Sequence, residues 1–119
     1  MSLIQKIDDC KMTKFPLPSI PDNSAKGLTL EIEKRKVKVI LVRKNGILYG
    51  YQNRCPHTGV NLEWMPDQFL DSTESLLQCA THGALFNIED GYCVAGPCSG
   101  QSLQSLQISE EGSHFRVAL

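Results

Sequence analysis

Cys55-Pro56-His57-Thr58-Gly59 and Cys79-Ala80-Thr81-His82-Gly83 set two cysteines and two histidines in matched pairs, each opening a short segment that ends in glycine. Cysteine binds metal as thiolate and histidine as neutral imidazole. Two of each can hold one metal ion tetrahedrally, or two irons with one ligand type on each. Zinc accepts such a set, but its usual first pair is spaced Cys-x2–4-Cys. A Cys-x-His pair matched with Cys-x-x-His departs from that habit. The four residues therefore favour a two-iron centre over a structural zinc site.

Outward from these pairs the chain reads as strands. Residues 1–27 are polar and carry Phe15-Pro16-Leu17-Pro18 and Ile20-Pro21. They form an extended lead-in that cannot be a helix, because proline lacks the N–H and restricts the residue before it. After Gly27, Leu28, Leu30 and Ile32 alternate with Thr29, Glu31 and Glu33, the period of a half-buried strand. Residues 37–42 predict a more apolar strand. Asn45-Gly46 follows, the pair best suited to the positive-φ positions of a tight hairpin, so 47–51 is the return strand leading to Cys55. Residues 84–88 and 92–95 flank Glu89-Asp90-Gly91 as a second hairpin, and 103–108 and 115–119 flank Glu110-Glu111-Gly112 as a third. Short strands separated by turn signals predict an all-β sandwich or barrel. Lys34-Arg35-Lys36 is expected at a solvated turn tip.

The 119 residues fit one domain with a modest core. A net charge of −1, from 12 basic and 13 acidic residues, supplies no whole-protein field for nucleic acid or an anionic membrane. The first ten residues have no apolar stretch long enough for a signal peptide, and no run approaches a membrane span. The expected compartment is the cytoplasm, where thiols stay reduced. Five cysteines, an odd number, cannot all pair within the chain, so Cys10, Cys93 and Cys98, outside the two motifs, are expected as thiols. His114 alternates with Phe115, Val117 and Leu119 and is expected to face solvent.

From Cys55 to about Leu103 the chain resembles the Rieske [2Fe–2S] family, including Gly96-Pro97, which matches that family's proline loop. The resemblance implies a Rieske-type antiparallel β sandwich or barrel over residues 1–119, with a small cluster-binding subdomain at about 53–100. It implies one [2Fe–2S] cluster, with Cys55 and Cys79 on one iron and His57 and His82 on the other. Two ferric ions, two sulfides and two thiolates sum to a neutral core, whereas four thiolates make it doubly negative. An electron enters the neutral core at lower cost, which is why Rieske centres lie at about −150 to +300 mV against about −400 mV for plant-type clusters. By the same resemblance the histidines lie at a solvent-facing tip, from which the electron leaves. Val60, Leu62 and the Gly96-Pro97 loop are expected to form an apolar docking surface around it. Gly59 and Gly83 are expected to allow tight turns and close N–H approach to sulfide, with Pro97 stiffening a shielding loop.

In the high-potential respiratory type each cluster loop also carries a cysteine, at positions matching Val60 and Thr81, and Ser and Tyr stand at positions matching Ala84 and Phe86. None of the four is present here. The chain therefore resembles the ferredoxin type: a single-electron carrier between a flavin-containing reductase and a terminal oxygenase or oxidase. Alternatives are the small Rieske-like subunit of a larger oxidoreductase such as a nitrite reductase, or a redox- or iron-sensing binding module. No nucleophile–base pair, phosphate loop or flavin fingerprint points to substrate chemistry on this chain alone. The segment between His57 and Cys79 is longer than usual for the ferredoxin type. The extra length is expected in 66–75, as a polar surface loop with Trp64 and Phe69 buried near its start. Because hydroxyl donors to sulfur stabilise the reduced state, their absence at Ala84 and Phe86 places the potential below about 0 mV. Protein-film voltammetry checks this, and Ala84→Ser should raise the value. A wild-type potential near the top of the Rieske range overturns the ferredoxin-type assignment.

Overall fold

A computed structural model describes residues 13–56, 62, 68–79, 83–96 and 100–118. Those residues form nine strands: β1 (Thr13–Pro16), β2 (Ser24–Ile32), β3 (Arg35–Lys44), β4 (Ile47–Gln52), β5 (Leu76–Gln78), β6 (Leu85–Asn87), β7 (Cys93–Ala95), β8 (Gln107–Glu111) and β9 (His114–Ala118). They build three antiparallel three-stranded sheets, ordered β1-β9-β8, β2-β3-β4 and β5-β6-β7. The all-β expectation holds. Among the described residues no helix is long and apolar enough to cross a membrane.

The β2-β3-β4 sheet is the wall between two cores. Along β3, Val39 and Leu41 join Leu30, Ile32, Leu48, Phe115 and Val117 in one apolar cluster. Ile40 and Val42 join Tyr51, Leu77, Phe86 and Ile88 in the other. Successive side chains of a strand point to opposite faces, so covering both faces requires the uninterrupted apolar run at 39–42. The β1-β9-β8 sheet covers the first face. The β5-β6-β7 sheet covers the second and is followed directly, at the end of β5, by Cys79.

Asn45 and Gly46 occupy φ values of 53° and 79° and close the β3–β4 hairpin on the register Lys44↔Ile47. Both central residues of this turn type need positive φ, which explains the Asn-Gly pair. The Gly46 N–H also donates to Asp22 Oδ1 at 2.8 Å, fastening the lead-in to the turn. Lys34 and Arg35 to Lys36 sit at the exposed β2–β3 end, as expected.

Three expectations change. The lead-in is not merely extended: Thr13–Pro16 pairs with β9, and Phe15 lies opposite Phe115 with ring centroids 5.9 Å apart. The third hairpin turns at Gly112-Ser113, since Glu110 and Glu111 are the last residues of β8. Each acid is held in the strand by an arginine: Glu110 accepts from both terminal nitrogens of Arg43 at 3.0 and 2.8 Å, and Glu111 pairs with Arg116 Nε at 2.9 Å. Residues 103–106 are not a regular strand either. They run along β4, where the Gln52 N–H donates to Gln104 O and the Leu106 N–H to Gly50 O, both at 2.9 Å.

The 66–75 segment is a surface loop only in part, and residues 66 and 67 lie outside those described. Phe69 is fully buried, as expected of it, and Leu70 bridges Leu77. The Gln78 N–H donates to Phe69 O and the Asp71 N–H to Leu76 O, so 69–71 extends the β5 edge as a short hairpin. Asp71 organises its tip. Its Oδ1 accepts from the Ser75 and Leu76 N–H groups, and both carboxylate oxygens accept from the Thr73 hydroxyl. Such side-chain to backbone bonds are why Asp initiates turns. Burial draws its pKa upward, but the bonds from Thr73, Leu76 and Ser75 prevail and hold it below the usual value.

Arg43 and Lys44 tie the three sheets together. Arg43 donates to Glu110 and also to Ile20 O at 2.7 Å, while Lys44 pairs with Glu89 at 2.8 Å in the β6–β7 turn. Hydrogen bonding from Arg43 lowers the Glu110 pKa, and that from Lys44 lowers the Glu89 pKa. A folded-state pKa below the unfolded one contributes stability that is complete above the unfolded value and is lost as pH falls through the folded value. Both carboxylates are more than one third exposed, and solvent screening limits each pair to about 1 kcal/mol or less. Thermal unfolding should therefore shift to lower temperature as pH drops below about 4.3. Glu110→Gln should flatten that decline, and an unchanged slope would show that this pair contributes nothing.

Candidate metal centre

Cys55 and Cys79 enter the second core from separate segments. β4 runs hydrogen-bonded to β3 and delivers Tyr51, Asn53 and Cys55 in turn. β5 ends at Gln78 and delivers Cys79 directly. The two cysteines are 2% and 1% exposed and belong to one apolar cluster with Leu62, Ala84, Phe86 and Ile88. His57 and His82 lie outside the described residues, as do Gly59, Val60, Trp64, Thr81, Pro97, Cys10 and Cys98.

The second ligand segment is closed by its own backbone. The Cys79 N–H donates to Ala84 O at 2.8 Å, and the Gly83 N–H donates to Cys79 O at 2.9 Å. The Gly83 N–H, expected to approach a sulfide, is directed at this carbonyl. Gly83 takes φ 68° to make the turn. The first segment is closed differently. Asn53, only 7% exposed, accepts the Leu62 N–H on Oδ1 at 2.8 Å, and its own N–H donates to Lys38 O on β3 at 2.8 Å. Sequence reasoning missed Asn53. Its one signal was a polar residue directly after an apolar strand and two before Cys55.

Leu62 corrects a second expectation. It is fully buried in the core cluster and is no part of an exposed docking surface. The sequence shows an apolar residue among polar ones, and only the Asn53 bond reveals that this residue turns inward. Gly96, by contrast, is exposed as expected. Exposed apolar side chains nearby on the β6-β7 hairpin are Tyr92 and Val94.

Tyr51 holds the far end of this core. Its hydroxyl donates to Ile88 O, at the turn that leads from β6 to β7, and its pKa is pushed far upward, chiefly by burial. The phenol therefore stays protonated and keeps donating above the ordinary tyrosine range. Cys93 is buried on β7, and its thiol donates to Ala95 O at 3.2 Å. His114 is partly exposed, with Nδ1 3.0 Å from the Ser113 hydroxyl, consistent with a solvent-facing role.

The described donors suit a [2Fe–2S] group. Two buried cysteines come from separate segments into one water-poor cluster, where a neutral core is less costly to enclose than an anionic one. Ala84 and Phe86 lie in that same cluster. Gly96 brings the third segment into contact with the second: a Cβ built there would lie 2.8 Å from the Ala84 Cα, and φ is 101°. Gly96→Ala therefore meets a backbone clash as well as the roughly 1–3 kcal/mol cost of a sparsely populated conformation. It should lower the thermal midpoint and speed bleaching of the visible chromophore. Gly46→Ala, with φ 79° but nothing within 4 Å, should cost stability without bleaching. Equal bleaching by both variants would count against the contact at Ala84.

Comparison with known proteins agrees with this geometry. The model of the Rieske [2Fe-2S] domain matches residues 17–108. The ferredoxin of carbazole 1,9a-dioxygenase from Nocardioides aromaticivorans IC177 superposes with a TM-score of 0.65 at 17% identity, covering 89% of this chain and 97% of that one. The terminal oxygenase of carbazole 1,9a-dioxygenase from Novosphingobium sp. KA1 superposes with a TM-score of 0.69 at 22% identity, over 89% of this chain and 29% of that one. A chain from the complex of reduced oxygenase and oxidised ferredoxin of carbazole 1,9a-dioxygenase gives 0.66 at 15%, over 88% and 92%. This chain thus spans less than a third of the oxygenase chain and nearly all of the ferredoxin. No curated protein sequence matches it. With the family model covering most of its length, the all-β architecture and two buried cysteines at the motif positions, the chain belongs to the Rieske [2Fe–2S] domain family and so takes one Rieske-type cluster.

Proposed function

We propose that this protein is a ferredoxin-type single-electron carrier, a single Rieske domain whose cluster-binding subdomain occupies about residues 53–100. Cys55 and Cys79 would hold one iron of the cluster, and His57 and His82 the other. When bound, the cluster supplies reversible one-electron transfer. The chain's own residues enclose it: Leu62, Ala84 and Phe86 exclude water from the two cysteines, and Gly96 packs the shielding segment against Ala84. The observation that carries this reading is the family match joined to a fold that coincides with a ferredoxin over 97% of that ferredoxin's length.

The proposed partners are a flavin-containing reductase as donor and a terminal oxygenase or oxidase as acceptor. A solved complex pairs a ferredoxin with its oxygenase in carbazole 1,9a-dioxygenase, which supports an oxygenase as acceptor here. We place the carrier in the cytoplasm, where its remaining cysteines would stay reduced. The subunit reading, in which the chain belongs to a larger oxidoreductase, is less favoured by the same near-complete overlap with a ferredoxin.

Anaerobically reconstituted protein should be red-brown, with iron and acid-labile sulfide in equal amounts and about two irons per chain. Its reduced form should show the low average g-value of a histidine-ligated cluster. Cys55→Ser, Cys79→Ser, His57→Ala and His82→Ala should each abolish that signal, while Cys10→Ser, Cys93→Ser and Cys98→Ser should keep it. Reduction by a flavin-containing reductase, then reoxidation by a Rieske oxygenase, tests the carrier role directly. Stoichiometric zinc in a colourless protein would sink the cluster assignment. Elution only with a large partner would favour the subunit reading, and partner binding in one redox state without turnover would favour a sensor.

A further inference from the structure

The two ligand segments are closed by different kinds of bond. Cys79, Gly83 and Ala84 are joined by backbone hydrogen bonds, Cys79 N–H to Ala84 O and Gly83 N–H to Cys79 O. Asn53 and Leu62, which bracket residues 54–61, are joined through a side chain. Asn53 is fixed to β3 through its N–H on Lys38 O, and its carboxamide oxygen accepts the N–H of Leu62, nine residues on. Leu62 is itself locked in the core with Phe69, Leu77 and Cys79. Asn53 is the one polar residue among the buried described residues. Its oxygen is therefore the link between the central wall and the far end of the segment that carries Cys55 and His57.

We infer that Asn53 is a positioning residue for the cluster: by clamping Leu62 it fixes the span of the first ligand segment, and so sets how firmly Cys55 and His57 hold iron. The inference rests on the proposed ligand set and adds to it a residue that touches no metal. A buried side chain placed only for stability would affect unfolding alone. A clamp on the ligand segment affects cluster retention and spectrum in the folded protein as well. Asparagine suits the task because it is uncharged, so it offers an acceptor inside an apolar cluster without a buried carboxylate. Residues that orient metal ligands typically change affinity by roughly 10–100-fold when replaced.

The test uses the full chain with its cluster reconstituted. Asn53→Leu keeps the branched shape and removes the acceptor, Asn53→Asp keeps the acceptor, and Val117→Ala lowers stability in the other core, away from the site. Iron release to a ferrous chelator should be roughly 10–100-fold faster in Asn53→Leu than in wild type. Its reduced-state g-values should broaden or shift. Asn53→Asp should release iron more slowly than Asn53→Leu. Val117→Ala should keep the wild-type spectrum and release rate below its unfolding transition. If Asn53→Leu does not fold, Asn53→Ser is held to the same comparison. Release and spectra in Asn53→Leu that match Val117→Ala overturn the inference. A wild-type chain that takes up no cluster, or one that keeps full iron after Cys55→Ser, instead fails the ligand assignment and removes the inference with it.

Discussion

The whole architecture depends on β3 being buried on both faces. Val39 and Leu41 face one core while Ile40 and Val42 face the other, and each such side chain is worth about 1.5–3 kcal/mol relative to exposure. A slip of one residue would exchange the two sets and spoil both cores at once, because strand side chains alternate strictly. Two features hold the register. The Asn45-Gly46 turn fixes the β4 pairing, and neighbouring Arg43 and Lys44 reach in different directions, to Glu110 of β8 and to Glu89 beyond β6. The ion pairs are partly exposed and individually weak. Their value is geometric: consecutive residues anchored to separate sheets cannot both be satisfied in a shifted register.

That wall decides where the metal centre stands. β4 is hydrogen-bonded to β3, so alternation sends Leu48 into the first core and Tyr49 and Tyr51 toward the second. The same side receives Cys55 as the chain leaves the strand, and the β5-β6-β7 sheet brings Cys79 to meet it across the same cluster. Tyr51 fixes the turn after β6 through Ile88, which docks the sheet that leads out of Cys79 against β4. Ligands supplied from loops seldom preform a site without their metal, so part of the binding free energy is folding free energy. Here the described cysteines already sit in an apolar cluster, which lowers the amount of ordering left for the cluster to impose.

Local signals were legible where local chemistry decides structure. Period-two alternation revealed β2, the Asn-Gly pair revealed the β3–β4 hairpin, and the Cys/His spacing revealed the family to which the chain belongs. The spacing could not reveal what depends on distant partners. β1 is four residues containing a proline and exists because β9 offers it an edge. β5 is three residues whose partners are β6 and the 69–71 segment. Glu110 and Glu111 read as turn residues by polarity, yet Arg43 and Arg116 make strand the better state for both. Leu62 read as a surface apolar residue because nothing beside it in sequence names its hydrogen-bond partner.

The contrast between the two ligand segments follows from their lengths and surroundings. Cys79 and Ala84 stand at a hairpin entrance, where their backbone groups bond to one another. Leu62 is buried in a core, and among the described residues its N–H finds its acceptor on a side chain. A buried N–H without a partner is costly, so some side chain has to supply the oxygen. The carboxamide of Asn53 does so from a residue already pinned to β3, and the bond is shielded by the surrounding apolar side chains. The Cys79–Ala84 closure thus rests on backbone groups, which many sequences supply. The Asn53–Leu62 closure rests on one side chain, and substitution of that side chain breaks it.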